Sequence, residues 1–161
     1  MSTAQPFVGR LRRVEDQWID YNGHFNMAYY AVLFDRAADE FLESLGMGAA
    51  YTAATQGSIF TLETHTSYVR ELKAGDAVRI ASQVIAHDHK RLHLCQQMFH
   101  ADDGFLACVL ESMLSHVDLA ARRTAPFPAA ILAHIAATAK IHAALARPPQ
   151  VGRIIALPRV P

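Results

Sequence analysis

An acidic residue, a glycine-containing turn and a favourable helix cap follow one another in residues 20–30. The segment reads Asp-Tyr-Asn-Gly-His-Phe-Asn-Met-Ala-Tyr-Tyr and runs directly into an apolar-periodic stretch that ends at Gly46. A carboxylate beside a helix N-terminus combines a base or nucleophile with backbone N–H groups that can polarise a carbonyl oxygen. Acyl transfer requires this combination, so the segment is the first candidate for a site.

A long helix is predicted immediately after this turn. Apolar side chains recur at helical spacing from Met27 to Leu45. Asn26 is a favourable N-cap, and Gly46 provides a stop at the other end. The helix therefore positions the start of the apolar stretch, and with it the first free N–H groups, next to the acidic turn.

Four strands separated by short turn sequences are predicted between residues 58 and 119. They cover residues 58–72, 77–87, 91–101 and 105–119. Short connections make consecutive strands antiparallel. Residues 8–18 predict a further strand before the long helix, and residues 49–57 predict a connecting loop after it. Five antiparallel strands with one long helix indicate an α+β domain.

An alanine-rich segment at residues 129–146 predicts a C-terminal helix, which Pro148 and Pro149 terminate. We expect residues 1–125 to form one domain and residues 126–161 to form a helix and tail packed on it, where the helix can cover a sheet edge. The last strand is apolar on both faces, so one face should cover the long helix and the other should meet a second subunit. A homo-oligomer is therefore expected.

Composition excludes several classes of protein. The 161 residues include 15 basic and 15 acidic side chains, without a Lys/Arg-rich block, so nucleic-acid binding is not indicated. No apolar stretch approaches membrane-spanning length, and a cytoplasmic protein without membrane association is expected. Two cysteines, Cys95 and Cys108, are too few for a disulfide framework and are predicted to be reduced.

The order of these features resembles a known family. A strand, Asp-x-x-Gly-His-x-Asn, a long helix and a Tyr68…Gly75-Asp76 strand turn are similar to hotdog-fold acyl-CoA thioesterases of the 4-hydroxybenzoyl-CoA thioesterase type, over roughly residues 8–120. Residues 18–30, 63–65, 90–94 and 111–118 resemble more narrowly the betainyl-CoA thioesterases associated with carnitine breakdown. The resemblance implies a hotdog fold, in which a five-stranded antiparallel sheet wraps around a long central helix. It also implies a homodimer or homotetramer with active sites at the subunit interface.

The resemblance assigns roles to the residues of the turn. Asp20 falls on the family's catalytic acid, which attacks the thioester carbonyl or activates a water that does so. The N–H of Met27 falls where the family polarises the thioester oxygen, and Gly23 leaves room for the pantetheine thiol. His24 orients the turn or takes part in catalysis, and Asn26 caps the helix with a secondary substrate contact. The alternative for Asp20 is a solvated turn aspartate.

The narrower resemblance implies recognition of a trimethylammonium group. This group has no N–H to donate, so aromatic faces and a nearby carboxylate must hold it. Trp18, Tyr30 and Tyr68 are the candidate aromatic contacts, and Glu63 is the candidate carboxylate. The alternative for Glu63 is an exposed polar face of its strand.

Coenzyme A is expected as part of the substrate, with no separate cofactor. Surface cations are expected to meet its phosphates, and the candidates are Lys73, Lys90, Arg91, Arg122 and Arg123. The alternative for each is a solvated surface charge. The histidines of residues 87–93 do not predict a metal site, because the neighbouring basic side chains repel a cation.

Two further functions fit the same sequence. The first is a thioesterase for another acyl or aryl group, and the second is a non-catalytic acyl-CoA-binding hotdog protein. The presence of Asp20 argues against the second.

Overall fold

The computed structural model describes residues 4–157. Its strands are β1 (Phe7–Val8), β2 (Arg12–Arg13), β3 (Gly57–Tyr68), β4 (Ala77–His87), β5 (Arg91–His100), β6 (Leu106–Asp118) and β7 (Arg123–Thr124). Its α-helices are α1 (Met27–Ser44), α2 (Ala49–Thr55) and α3 (Ala129–His142), and a 3₁₀ helix spans Asp16–Trp18. The predicted α+β class is confirmed.

All strands join one antiparallel sheet around α1. The four long strands follow the order β4-β5-β6-β3. β1 and β2 both pair with the outer side of β4, and the short strand β7 pairs with the end of β6. Within residues 4–157, β3 has β6 on one side and no strand on the other. The sheet therefore ends in a long open edge.

The predicted helix and its cap are confirmed in α1. Asn26 Oδ1 accepts the N–H of Ala28 at 3.0 Å, which satisfies one of the unpaired donors of the first turn. The buried side chains recur every three or four residues and pack onto the inner face of the sheet: Tyr30, Leu33, Phe34, Ala37, Phe41 and Leu42. The same helix thus anchors the core and presents its N-terminus at one end of the sheet.

The four long strands are confirmed, with small shifts at their ends. β4 has the predicted bounds, whereas β3 ends at Tyr68 instead of continuing to Leu72. Val69 and Arg70 both donate their N–H groups to the carbonyl of Ala107, so the chain leaves the regular ladder here. The residues that follow Tyr68 therefore turn toward the N-terminus of α1.

The prediction of one strand over residues 8–18 is wrong. β1 and β2 are separate: Gly9 still donates its N–H to the carbonyl of Ile80 on β4, but residues 9–11 do not continue the strand. The carboxylate of Glu40 on α1 causes the break, because it accepts the N–H of Arg10 at 2.8 Å and pairs with the guanidinium of Arg12. These contacts replace the sheet hydrogen bonds that a continuous strand would make with β4 at these positions.

The prediction of a loop over residues 49–57 is also wrong, because residues 49–55 form α2. Gln56 ends this helix in the left-handed conformation, at φ 60°. The hydroxyl of Tyr51 lies 2.8 Å from Nε2 of His116 on β6 and ties the helix to the sheet. A contact across 65 residues of chain thus stabilises a helix of only seven residues.

The C-terminal helix α3 is confirmed, but it ends at His142 and not at Ala146. His142 Nδ1 accepts the N–H of Val84 at 2.9 Å, and burial lowers the pKa of this imidazole, which favours the neutral ring that can accept. β1 pairs with β4 only as far as Ser82. α3 therefore covers the stretch of the β4 edge that β1 leaves open.

Both cysteines are buried free thiols, as predicted. Cys108 stands opposite Met98, and Cys95 stands opposite Glu111, so the two are not neighbours in the sheet. Within residues 4–157, no helix combines the length and apolarity needed to cross a membrane.

Candidate functional site

A cleft of about 720 Å³ opens between the N-terminus of α1, the turn before it and the chain that leaves β3. We call it the Asp20 cleft. Six of the side chains singled out from the sequence line it: Asp20, His24, Asn26, Met27, Tyr30 and Tyr68. The structure therefore brings most of the predicted catalytic group to one place, together with two of the predicted aromatics.

Asp20 both shapes the turn and faces the cleft. Its Oδ1 accepts the N–H groups of Asn22 and His24, at 2.8 and 3.3 Å. The backbone closes the turn through the N–H of Gly23, which donates to the Asp20 carbonyl while Gly23 takes φ 77°, a conformation that favours glycine. Within residues 4–157, Oδ2 has no hydrogen-bond partner. One carboxylate oxygen thus holds the turn, and the second is available to a water or a substrate.

The N–H of Met27 is the free donor at the start of α1. The N–H groups of Phe25 and Asn26 bond the carbonyls of Leu72 and Trp18, and the N–H of Ala28 bonds the cap. As the first residue of the helix, Met27 has no intrahelical acceptor. Within the described part of the chain it has no other acceptor either. The cleft is thus lined by a residue whose N–H, at the positive end of the helix, has no acceptor among the described residues.

Tyr30 and Tyr68 form an aromatic wall beside this donor. Their rings meet edge to face with centroids 5.2 Å apart, and the Tyr68 hydroxyl donates to the carbonyl of Met27 at 3.4 Å. Burial raises the pKa of Tyr30 to about 12 and also raises the pKa of Tyr68. Both side chains are neutral phenols at physiological pH, and Tyr68 is half exposed.

His24 pairs with Glu71, not with Asp20. His24 Nε2 lies 3.0 Å from Glu71 Oε2, and the two side chains are 58% and 50% exposed. Glu71 and Arg70 line the cleft and were missed from the sequence, although they follow Tyr68 directly in the segment that carries the resemblance. The guanidinium of Arg70 lies over the ring of Phe105, 3.8 Å from its centroid. The cleft therefore holds two carboxylates, one arginine and one histidine.

Trp18 does not line the cleft, contrary to its predicted contact with substrate. Its side chain is only 5% exposed and stacks on Phe25 and Tyr29, at centroid distances of 6.0 and 5.5 Å. The indole also carries the guanidinium of Arg36 at 5.6 Å. Trp18 supports the turn from behind, as a core residue.

Glu63 likewise lies outside the Asp20 cleft. It lines a separate cavity of about 220 Å³ on the outer face of the sheet, with His65, His93 and Glu111. We call this the Glu111 cavity. In it, His93 Nε2 lies 2.6 Å from Glu111 Oε1. Among residues 4–157 no group of three or more His, Cys, Asp or Glu side chains is arranged to hold a metal ion.

Four of the five predicted phosphate-binding cations, all except Lys73, lie at the far end of the sheet from Asp20. β6 pairs with Tyr68 at Cys108 but with Arg123 at Asp118, which is roughly 30 Å further along the strand at about 3.3 Å per residue. Arg91 also forms an ion pair with Asp88 at 2.7 Å. The Lys90 backbone N–H and this guanidinium hold the pKa of Asp88 at about 2. Lys90, Arg91, Arg122 and Arg123 therefore do not reach the Asp20 cleft of their own chain.

Comparison with known proteins supports this reading of the fold. The thioesterase-like superfamily model matches residues 14–135. A betainyl-CoA thioesterase of Pseudomonas aeruginosa is 39% identical over 144 residues, which cover 89% of this chain and 91% of that protein. An L-carnitine dehydrogenase/betainyl-CoA thioesterase of Rhizobium meliloti is 35% identical over 90% of this chain, and the aligned part spans 30% of its length.

A solved structure adds a close match in three dimensions. A hypothetical protein of Staphylococcus aureus, in complex with CoA, superposes with a TM-score of 0.90 and 31% identity, covering 98% of this chain and 99% of that one. Sequence and structure thus agree over nearly the whole chain. The protein belongs to the thioesterase-like superfamily, and its antiparallel sheet around α1 is the hotdog fold.

Proposed function

We propose that this protein is an acyl-CoA thioesterase that hydrolyses betainyl-CoA to betaine and CoA. One observation carries the proposal: Asp20 and Met27 line the same cleft, and among the described residues Asp20 Oδ2 and the N–H of Met27 have no hydrogen-bond partner. A base and an oxyanion donor are the two groups that thioester hydrolysis needs. The acyl group is the one named in the relatives from Pseudomonas aeruginosa and Rhizobium meliloti.

The proposed reaction uses these two groups, with Asp20 as the general base. Asp20 Oδ2 takes a proton from a water, whose oxygen attacks the thioester carbon. The N–H of Met27 stabilises the oxyanion that forms on the former carbonyl oxygen. The tetrahedral intermediate then collapses, the carbon–sulfur bond breaks, and the CoA thiolate leaves and takes up a proton. Water is the only co-reactant, and coenzyme A enters as part of the substrate.

The cleft also fits a cationic acyl group. Tyr30 and Tyr68 supply aromatic surface, and Glu71 takes the place that the sequence had assigned to Glu63. The lining includes two carboxylates, Asp20 and Glu71, and one guanidinium, that of Arg70. Carboxylates beside aromatic walls complement a trimethylammonium group, which is held by charge and by π faces.

A dimer through β3 would complete the site. Antiparallel pairing of two β3 edges around a two-fold axis sets the Tyr68 end of one strand beside the Gly57 end of the other. The basic end of the partner's sheet then approaches the Asp20 cleft, because Gly57 pairs with Asp118, and Asp118 pairs with Arg123. In this arrangement Lys90, Arg91, Arg122 and Arg123 can meet CoA phosphates only from the second subunit.

A panel of acyl-CoA thioesters tests the proposal. We expect CoA release, followed with a thiol reagent, to be fastest with betainyl-CoA and much slower with benzoyl-CoA and octanoyl-CoA. Preference for an aryl or medium-chain thioester would overturn the assigned substrate. Tight binding of every ester without CoA release would instead show a binding protein and overturn the assigned reaction.

A further inference from the structure

The C-terminal segment is fixed to the outer face of the sheet by one carboxylate. Glu111 on β6 uses both oxygens: Oε1 lies 2.6 Å from His93 Nε2, and Oε2 accepts the N–H of Gly152 at 2.8 Å. The His93 and Glu111 side chains are only 19% and 17% exposed. Two turns surround the contact, in which the N–H groups of Val151 and Arg153 donate to the carbonyls of Pro148 and Gln150. The chain is thus held at Gly152.

Residues 154–157, which follow Gly152 and Arg153, are apolar, and we call them the C-terminal arm. Ile154, Ile155 and Leu157 are 86%, 89% and 91% exposed. Three large aliphatic side chains within four residues rarely stay in water when a surface is available to bury them. Among residues 4–157 of their own protomer, these three side chains are not buried against any partner.

The arm starts close to the open edge of the sheet. Gly152 and Arg153 line the Glu111 cavity together with Glu63 and His65 of β3, and β3 is the edge strand. His65 stands directly opposite Glu111, so the anchor is one strand away from the edge, about 5 Å. Four extended residues reach roughly 13 Å, which is enough to cross the edge.

The edge itself carries apolar side chains on which the arm can pack. Phe60 and Leu62 of β3 are 50% and 55% exposed. The midpoint of β3 lies between Leu62 and Glu63, so a two-fold axis there sets residue 60 of one strand opposite residue 65 of the other. The partner's Phe60 then stands next to His65, beside the point where the arm begins.

We propose that the C-terminal arm crosses the subunit boundary and packs on Phe60 of a second copy of this chain. The two arms are exchanged around the two-fold axis, and each buries its isoleucines against the other protomer. Glu111 and His93 fix the direction in which the arm leaves its own protomer. This inference rests on the pairing of β3 edges proposed above, and it is independent of the acyl group that is hydrolysed.

Cross-linking between two single-cysteine variants tests the exchange. Ile155→Cys, with a tag that alters its mass, and Phe60→Cys are co-expressed in the full chain and exposed to a short thiol-to-thiol cross-linker. We expect a covalent heterodimer on a non-reducing gel, since the native thiols Cys95 and Cys108 are buried. Val8→Cys is the matched control, because Val8 is about as exposed as Phe60 but lies on the opposite edge of the sheet.

A heterodimer with Phe60→Cys and none with Val8→Cys supports the exchange. Absence of the heterodimer overturns it, as does a cross-link that forms only within one chain of a double Ile155→Cys/Phe60→Cys variant. Sedimentation of the unmodified protein distinguishes the arm exchange from the pairing of the β3 edges. A dimer without cross-link contradicts the arm alone, whereas a monomer contradicts the β3 pairing as well.

A second variant measures what the arm contributes. Ile154→Ser combined with Ile155→Ser is expected to raise the dimer dissociation constant about 10-fold or more, because two aliphatic side chains no longer leave water on assembly. These residues lie outside the Asp20 cleft, so turnover of the assembled dimer should stay unchanged. An unaltered dissociation constant would contradict the proposed packing.

Discussion

Two histidine–glutamate pairs in this protein have the same chemistry and opposite surroundings. His24 and Glu71 meet at 3.0 Å in the Asp20 cleft, with more than half of the histidine and half of the glutamate exposed. His93 and Glu111 meet at 2.6 Å on the outer face of the sheet, with less than a fifth of either exposed. Both pairs join residues from separate strands or loops, and both line a cavity.

The two pairs differ in how many oxygens of the glutamate carboxylate have a hydrogen-bond partner. Glu111 has both oxygens engaged, by His93 and by Gly152, so it acts as a structural anchor. Glu71 has a partner on one oxygen and stands next to the unpaired Oδ2 of Asp20 and the aromatic wall. A satisfied, buried pair stabilises the fold, whereas an exposed, partly satisfied pair remains available to a ligand.

The largest effect should come from the carboxylate that we assign to catalysis. Asp20→Asn keeps an oxygen for the N–H groups of Asn22 and His24 but removes the base, so kcat/KM for betainyl-CoA should fall about 10²–10⁴-fold. The unfolding temperature should stay the same. Asp102→Asn, an exposed carboxylate in the turn before β6, is the matched control. Full turnover in Asp20→Asn would contradict the assigned role.

The next effect concerns the buried pair. Glu111→Ala leaves His93 and the N–H of Gly152 without their acceptor, and should lower the free energy of unfolding by about 2 kcal/mol. Glu71→Ala is the comparison, with an expected loss below about 1 kcal/mol because its pair is half exposed. Urea denaturation measures both. An equal loss of unfolding free energy in the two variants would contradict the assignment of His93–Glu111 as a structural anchor and His24–Glu71 as a ligand-binding pair.

Glu71 should matter for the substrate more than for the fold. Glu71→Gln is expected to raise KM for betainyl-CoA about 5-fold, which corresponds to roughly 1 kcal/mol of lost interaction with the cationic group. KM for an uncharged acyl-CoA of similar size should stay nearly constant. The comparison of the two substrates is decisive, because a general disturbance of the cleft would raise both KM values together.

The smallest effect is the response to acid. Burial by itself raises the pKa of Glu111, but the N–H of Gly152 and the ring of His93 outweigh it and hold the pKa below the usual value of 4.5. A carboxyl whose pKa is lowered by folding stabilises the protein above its unfolded pKa, and this contribution is lost as the pH falls through the folded pKa. Between about pH 6 and about pH 3, the unmodified protein should therefore lose more stability than Glu111→Gln. Parallel pH profiles would argue against the anchor.

The parts predicted correctly from the sequence are those whose information is local. The helix α1, its cap and the turn at Asp20 lie within one continuous segment, so spacing and residue type were sufficient. The long strands are separated by turn residues that mark their ends. The lining of the Asp20 cleft was predictable within the same segment, from Asp20 to Tyr30, and at Tyr68.

The errors have long-range causes. The strand break before α1 arises from Glu40, and α2 is held by Tyr51 and His116, so both depend on residues far apart in the chain. The position of a residue next to the turn likewise does not determine which way its side chain points. Trp18 is adjacent to the turn, but its side chain packs into the core. Glu71 reaches the cleft because the N–H of Phe25 bonds the carbonyl of Leu72, which brings two distant segments together.

The buried thiol of Cys108 has a consequence for the fate of the acyl group. Cys108 stands opposite Tyr68 in the sheet, directly behind the aromatic wall of the cleft, and burial raises its pKa to about 12. Burial therefore keeps this thiol protonated at neutral pH, and a protonated thiol is a poor nucleophile. In the proposed hydrolysis we expect Cys108 not to compete with water for the acyl group.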